Sequence, residues 1–414
     1  MIYIIAEILT VGTEILLGNI VNSNAAFLSR ELAALGVAVY THTAVGDNHE
    51  RLAAALEHAF GKADMVITTG GLGPTQDDIT QEVAERFFGE AARTELPNHH
   101  GTAAGLVYTR ADGKILMMFP GPPHELQPMF LGYAADFLRQ KTGRVFVSRT
   151  LKIIGRGELE VETMLRDLID TQTNPTIAPY AKVGEVHIRL TASGALPLSS
   201  DCSVDVLRET QNINLVGMSP RSLDSSLSHQ EADSLISPIA DEIYRRLGVQ
   251  VYAEDDTSLA ETVLNLLREQ GLTLAVAESC TGGLVASELV SVSGCSAVFR
   301  EGFVTYSNEA KIERLGICKD LLARHGAVSA EVAMEMAKNA AEKSGACVGL
   351  STTGIAGPEG GSAEKPVGLV YMGLYVNGEL TSEKHNFKGS RNAVRTRAMV
   401  FALDFLRRGL LSDV

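Results

Sequence analysis

The chain has 414 residues, of which 45% are hydrophobic and 21% charged, with a net charge of −14. That length predicts two or three domains of a water-soluble protein. The acidic balance disfavours a nucleic-acid partner or an anionic membrane surface. Cys202, Cys280, Cys295, Cys318 and Cys347 are odd in number and lack metal-ligand spacing, which points to reduced thiols, a cytoplasmic setting and no structural zinc. The N-terminus has no basic segment before Glu7, and no apolar run reaches the roughly 18 residues of a membrane span.

Residues 2–11 read as a buried strand despite Glu7. A helix over 23–35 follows, with Ala25, Leu28, Leu32 and Leu35 at helical spacing and Gly36 as its stop. Residues 37–43 form a second strand, Asn48 caps a helix closed by Gly61, and residues 65–69 form a third strand. This alternation predicts an α/β fold with a parallel, doubly wound sheet.

The third strand opens onto Gly70-Gly71-Leu72-Gly73-Pro74-Thr75-Gln76-Asp77-Asp78 and then a helix. Glycines admit a ligand close to the backbone, and a helix start offers N–H groups to phosphate. Asp77 and Asp78 would repel a bare phosphate, so they suit a hard cation such as Mg²⁺ bridging them to phosphate oxygens. The alternative is that either aspartate caps the helix at Thr80. Together with Gly12-Thr-Glu-Ile-Leu-Leu-Gly18, Gly101-Thr-Ala-Ala-Gly105 and Pro120-Gly-Pro-Pro-His-Glu125, this segment resembles the molybdopterin-binding fold of MoaB and MogA, and specifically the N-terminal domain of the CinA family. The resemblance implies a metal-dependent ADP-ribose pyrophosphatase over residues 1–144, using a divalent cation and in some cases a monovalent one. It puts Asp77 and Asp78 at the metal, Glu14 beside them, and Gly70, Gly71, Gly73, Thr75 and Gly101 along the nucleotide. Glu125 either faces the same pocket or is an exposed helix-start residue. Between Ala84 and Asn98 the chain lacks a helical stretch that covers substrate in the family. A nucleotide- or pterin-binding sensor without turnover is therefore the alternative for this half.

Residues 145–252 read as a small α+β unit resembling the CinA middle domain. Val186, Ile188 and Leu190 alternate with His187 and Arg189, which puts His187 on the surface. Residues 193–229 are Ser-rich and read as an exposed, mobile insertion. A helix follows from Glu231 to Leu247, with Ser237-Pro238 as another candidate start.

In the last segment, 253–414, a β-favouring run at 272–276 leads into Ala277-Glu278-Ser279-Cys280-Thr281-Gly282-Gly283 and a helix. A hydroxyl at such a turn can attack a carbonyl while backbone N–H groups hold the oxyanion. A tight turn with a buried serine is the plainer reading. Further strands end at Tyr306-Ser-Asn-Glu-Ala-Lys311 and at Thr353-Gly354-Ile355-Ala356-Gly357-Pro358, which suggests one crevice at the carboxyl edge of a sheet. His325 and His385 lie outside these loops, so Lys311 or Tyr306 would have to serve as base, unless Lys311 is simply a solvated first-turn lysine.

These blocks, with Lys365-Pro-Val-Gly368, resemble the C-terminal domain of the CinA family, which is similar to the nicotinamide-nucleotide amidase PncC. The resemblance implies hydrolysis of nicotinamide mononucleotide to nicotinate mononucleotide and ammonia, with no cofactor. It implies Ser279 as nucleophile and Lys311 and Tyr306 as proton carriers. Ser296, Thr281, Gly282, Gly283, Thr353 and Gly354 would contact substrate, and Arg391 its phosphate, with Arg395 close by. Cys280 is the alternative nucleophile. The expected partners are nicotinamide mononucleotide and ADP-ribose, and symmetry suggests a homodimer.

Overall fold

The computed structural model describes residues 4–73, 78–89, 91–142, 144–195 and 226–411. The chain divides into two compact units, 1–148 with 191–237, and 149–190 with 238–414.

The first unit holds a six-stranded sheet: β1 (Ile5–Val11), β2 (Ala38–Val45), β3 (Met65–Thr69), β4 (Ala92–Leu96), β5 (Gly105–Thr109) and β6 (Ile115–Phe119), in the order β2-β1-β3-β6-β5-β4. The first four strands in that order run parallel, while β5 and β4 add an antiparallel edge. Both faces are covered. Ala6 and Ile8 pack with the helix Ser23–Ala34, whereas Leu9 and Val11 pack with the helix His49–Phe60. Asn22 and Asn48 cap those two helices by accepting from Ala25 N and Arg51 N. Glu7 survives in the buried strand because its Oε1 accepts from Thr43 Oγ1 at 2.6 Å.

A four-stranded sheet follows, in the order β10-β7-β9-β8, from β7 (Arg144–Ile154), β8 (Thr176–Lys182), β9 (Glu185–Ala195) and β10 (Val251–Glu254). His187 is buried here, not on the surface. Val186, His187 and Ile188 are all covered, so alternation along β9 does not separate wet from dry. The ring stays satisfied through Glu185 Oε2, 2.8 Å from Nε2, and lies 5.5 Å from Tyr180. The helix Ser226–Leu247 runs through Pro238 rather than starting there, although proline withholds an N–H from the preceding turn, and Ser237 Oγ donates to Asp233 O at 3.2 Å beside it. Of the expected insertion, 196–225 lies outside the described residues, and its two ends are strand and helix.

The last sheet has the order β12-β11-β13-β14-β15, from β11 (Leu274–Glu278), β12 (Phe299–Val304), β13 (Val348–Gly354), β14 (Leu369–Val376) and β15 (Glu379–Asn386). β12, β11 and β13 are parallel, and β14 and β15 are antiparallel. β15 was not anticipated, because as a polar, largely exposed edge strand it carries no apolar period. Leu274 and Val276 face one core with the helix Leu259–Glu269, and Ala275 and Ala277 face another with the helix Ala330–Ser344. That second helix lies directly on the sheet. A Cβ at Gly349 would meet Ala337 O at 1.9 Å, so no side chain fits there.

β11 is flanked by β12 on one side and β13 on the other, so the chain steps from β11 to one side and then crosses back to the other. A crevice therefore opens beyond its carboxyl end. β1, between β2 and β3, creates the same situation in the first unit.

Candidate active site

At the end of β11 the ladder continues for one residue on each side. Ser279 N donates to Thr352 O at 2.9 Å, and Thr305 N donates to Glu278 O at 2.8 Å. The chain then turns through Gly282 at φ 63° and Gly283 at φ 94°, a left-handed pair that side chains resist, and enters the helix Leu284–Val290. This sharp turn leaves Ser279 at the sheet edge, buried but beside the crevice.

Lys311 meets it there. Ser307 caps the helix Asn308–Leu315 by accepting from Ala310 N, and Lys311 lies in the first turn of that helix. It is not a solvated lysine, being only 1% exposed. Its Nζ lies 3.0 Å from Ser279 Oγ, 2.9 Å from Thr305 O and 3.3 Å from Tyr306 O. No carboxylate pairs with it among the described residues. Burial without a counter-ion disfavours the ammonium and lowers its pKa to about 8. A neutral amine has two N–H groups and one lone pair. The two carbonyls take the N–H groups, and the lone pair is left for the Ser279 hydroxyl proton.

Cys280 points into the apolar core rather than the crevice. Burial pushes its thiol up to about 12, so it carries no thiolate at neutral pH. A Cys280→Ala variant is therefore expected to leave the Ser279–Lys311 pair intact and any hydrolysis that depends on it within about threefold of wild type, measured on the purified variant.

The other expected residues sort into three groups. Arg391 and Tyr306 stand together at the mouth: Arg391 Nη2 donates to the Tyr306 hydroxyl at 2.9 Å and Nη1 to Gly357 O at 2.7 Å, and both residues are exposed. The Tyr306 hydroxyl thus engages Arg391 and not the Ser279–Lys311 pair. Thr281 and Thr353 direct their hydroxyls inward, Thr281 Oγ1 to Thr352 Oγ1 at 2.6 Å and Thr353 Oγ1 to Ala327 O at 2.7 Å. Gly354 is the last residue of β13 and lies tight against Leu369 O. Ser296 is placed elsewhere. It precedes Phe299, which pairs with Leu274 at the opposite end of β11, roughly 16 Å of strand from Ser279. Within one chain it does not join the site, because β12 must run the length of the sheet before reaching Thr305.

Two residues that sequence reasoning left without a role also shape the turn. Glu278 is 1% exposed, and its carboxylate accepts from the amides of Gly283 at 2.9 Å, Val285 at 3.1 Å and Ala286 at 2.8 Å. Arg395 Nη2 donates to Thr281 O at 2.7 Å. A glutamate closing an otherwise apolar strand was the visible signal for the first.

In the first unit a cleft of about 750 Å³ lies beyond β1, β3 and β6. Gly70, Gly71, Gly73 and Asp78 line it together with Glu14, Asp47 and Glu125. Glu125 faces this cleft; its Oε2 accepts from Asn98 Nδ2 at 2.7 Å and lies against Gly101. Asp78 does not cap the following helix, whose N-cap is Ile79. Thr75 and Asp77 lie outside the described residues. Among the described residues no lysine, arginine or histidine lines the cleft, and no three His, Cys, Asp or Glu side chains converge as a complete metal cage. Hard oxygen donors without a basic side chain suit a divalent cation shared with phosphate, since Mg²⁺ takes one or two carboxylates plus substrate oxygens.

Three family models match the chain: "Probable molybdopterin binding domain" over residues 7–140, "Damage-inducible protein CinA KH domain" over 148–205, and "CinA C-terminal domain" over 256–410. The CinA-like protein of Dictyoglomus turgidum is 44% identical over 98% of this chain and 99% of its own length. This chain belongs to the CinA family. The CinA-like protein of Kosmotoga olearia is 45% identical, again over 98% of this chain and 99% of its own length. No helix among the described residues of this CinA protein is long and apolar enough to cross a membrane.

Proposed function

We propose that the C-terminal part of this CinA protein is a serine amidase acting on the carboxamide of nicotinamide mononucleotide. The observation that carries the reading is the buried Lys311 amine, 3.0 Å from Ser279 Oγ and without a counter-ion among the described residues. Ser279 Oγ attacks the amide carbon and Lys311 Nζ takes its proton. The tetrahedral intermediate collapses, and Lys311 returns the proton to the leaving nitrogen as ammonia departs. Water then attacks the acyl-serine, with Lys311 again as base, releasing nicotinate mononucleotide. Arg391, exposed at the mouth beside Tyr306, suits the substrate's phosphate. The choice of this amide rests on the likeness of residues 277–283, 306–311 and 352–358 to the nicotinamide-nucleotide amidase. Ammonia release from nicotinamide mononucleotide by the purified protein tests it, and a folded protein that releases none would refute it.

The acidic cleft favours a second activity in the first unit, cleavage of ADP-ribose to AMP and ribose 5-phosphate. Asp78 and Glu14 would hold a divalent cation there. When bound, the cation offsets the diphosphate charge and polarises its phosphoryl oxygens. Gly70 and Gly71, both at positive φ, bring backbone close to the nucleotide. AMP should form from ADP-ribose with Mg²⁺, disappear with EDTA, and fall about 100-fold in Asp78→Asn. Tight ADP-ribose binding without AMP would instead make this half a sensor.

A further inference from the structure

We infer that Glu278 is a positioning residue for the Ser279 nucleophile, a role that rests on the amidase reading above. Three observations point to it. Its carboxylate is buried, and among the described residues no cation pairs with it; it is held by three backbone amides of one turn and helix start, those of Gly283, Val285 and Ala286. Burying a carboxylate is unfavourable unless such charge-assisted bonds compensate, so the turn and the carboxylate hold one another in place. Glu278 is also bonded to Ser279 through the main chain, at the last position of β11. The two ends of its constraint, strand and helix, therefore bracket the nucleophile. Finally, the turn is pinned from its carbonyl side by Arg395 on Thr281 O at 2.7 Å. Restraint by an anion on the amides and a cation on a carbonyl leaves the glycine pair no freedom to swing Ser279 away from Lys311.

The arrangement also limits what can hold the oxyanion. The amides of Gly283, Val285 and Ala286 are occupied by Glu278, so these three are closed to substrate. The amides of Gly282 and Leu284 have no acceptor among the described residues. Glu278 thus decides which N–H groups remain for the reaction.

Glu278→Gln keeps size and shape but replaces one acceptor oxygen with an NH₂ that faces amide donors. The expected result is a kcat at least about 30-fold lower with KM for nicotinamide mononucleotide within about threefold, since the substrate-binding edge at Arg391 is untouched. The rate of covalent labelling of Ser279 by a fluorophosphonate probe should fall in parallel, which reads the nucleophile without requiring turnover. Glu278→Asp, one methylene shorter, should show an intermediate loss in both readouts. Unchanged kcat and labelling in Glu278→Gln would overturn the inference. So would loss of folding in both variants, judged by circular dichroism, since the role would then be structural only. If the wild type releases no ammonia yet Ser279 labels, the amidase reading fails while the labelling rates still decide the role of Glu278.

Discussion

Ser279→Ala should abolish ammonia release from nicotinamide mononucleotide, lowering kcat by about 10⁴-fold or more while the protein stays folded. The substitution removes one oxygen from a buried site. The hydroxyl's partner, Lys311 Nζ, keeps Thr305 O and Tyr306 O as acceptors, so no buried group is stranded. Binding should survive, because Arg391 and the mouth of the crevice are unaltered. Isothermal titration with nicotinamide mononucleotide, set beside an ammonia assay, separates the two effects. Full activity in Ser279→Ala would sink the assignment, and loss of binding together with activity would mean that Ser279 holds substrate rather than attacks it.

The second large effect is expected at Lys311. Lys311→Met fills the same buried slot with an unbranched apolar chain and removes the base, so kcat should fall by about 10²- to 10⁴-fold. The pH profile gives the sharper test. Only the neutral amine can accept the Ser279 proton, and burial lowers the Lys311 pKa to about 8. Wild-type kcat should therefore rise roughly tenfold per pH unit below that value and level off above it. Stability follows the same group with a definite sign. The ordinary lysine value is 10.5, so between about 8 and 10.5 the unfolded chain binds more protons than the folded one. The cost of burying the ammonium is full below about pH 8 and is relieved as pH rises through that window. Lys311→Met should be at least as resistant to thermal unfolding at pH 7 as the wild type. A variant that kept the wild-type rise in kcat through pH 8 would show that another group is the base.

Much of the architecture was legible because it depends on local pattern. Apolar runs bounded by Gly-rich turns marked β1, β3, β11 and β13, and helical spacing marked Ser23–Ala34 and His49–Phe60. The motif 277–283 placed a serine at a strand-to-helix turn, and a turn of that kind needs its glycines at positive φ. Elements whose residues are polar, or covered on both faces, escaped the same logic. β15 is a polar edge, and His187 sits where both faces of β9 are dry.

By itself, then, the sequence determined the α/β alternation, the two Gly-rich crevices and the family resemblance, since each is written in contiguous residues. Tertiary structure decided everything that depends on approach between distant segments. It buried Lys311 against Ser279, 32 positions away, which turns an ordinary lysine into one with a lowered pKa. It turned Cys280 into the core, carried Ser296 to the far end of the sheet, and assigned three helix-start amides to Glu278. Burial and desolvation are properties of what surrounds a side chain, and for these residues the surroundings come from strands and helices that the linear order keeps apart.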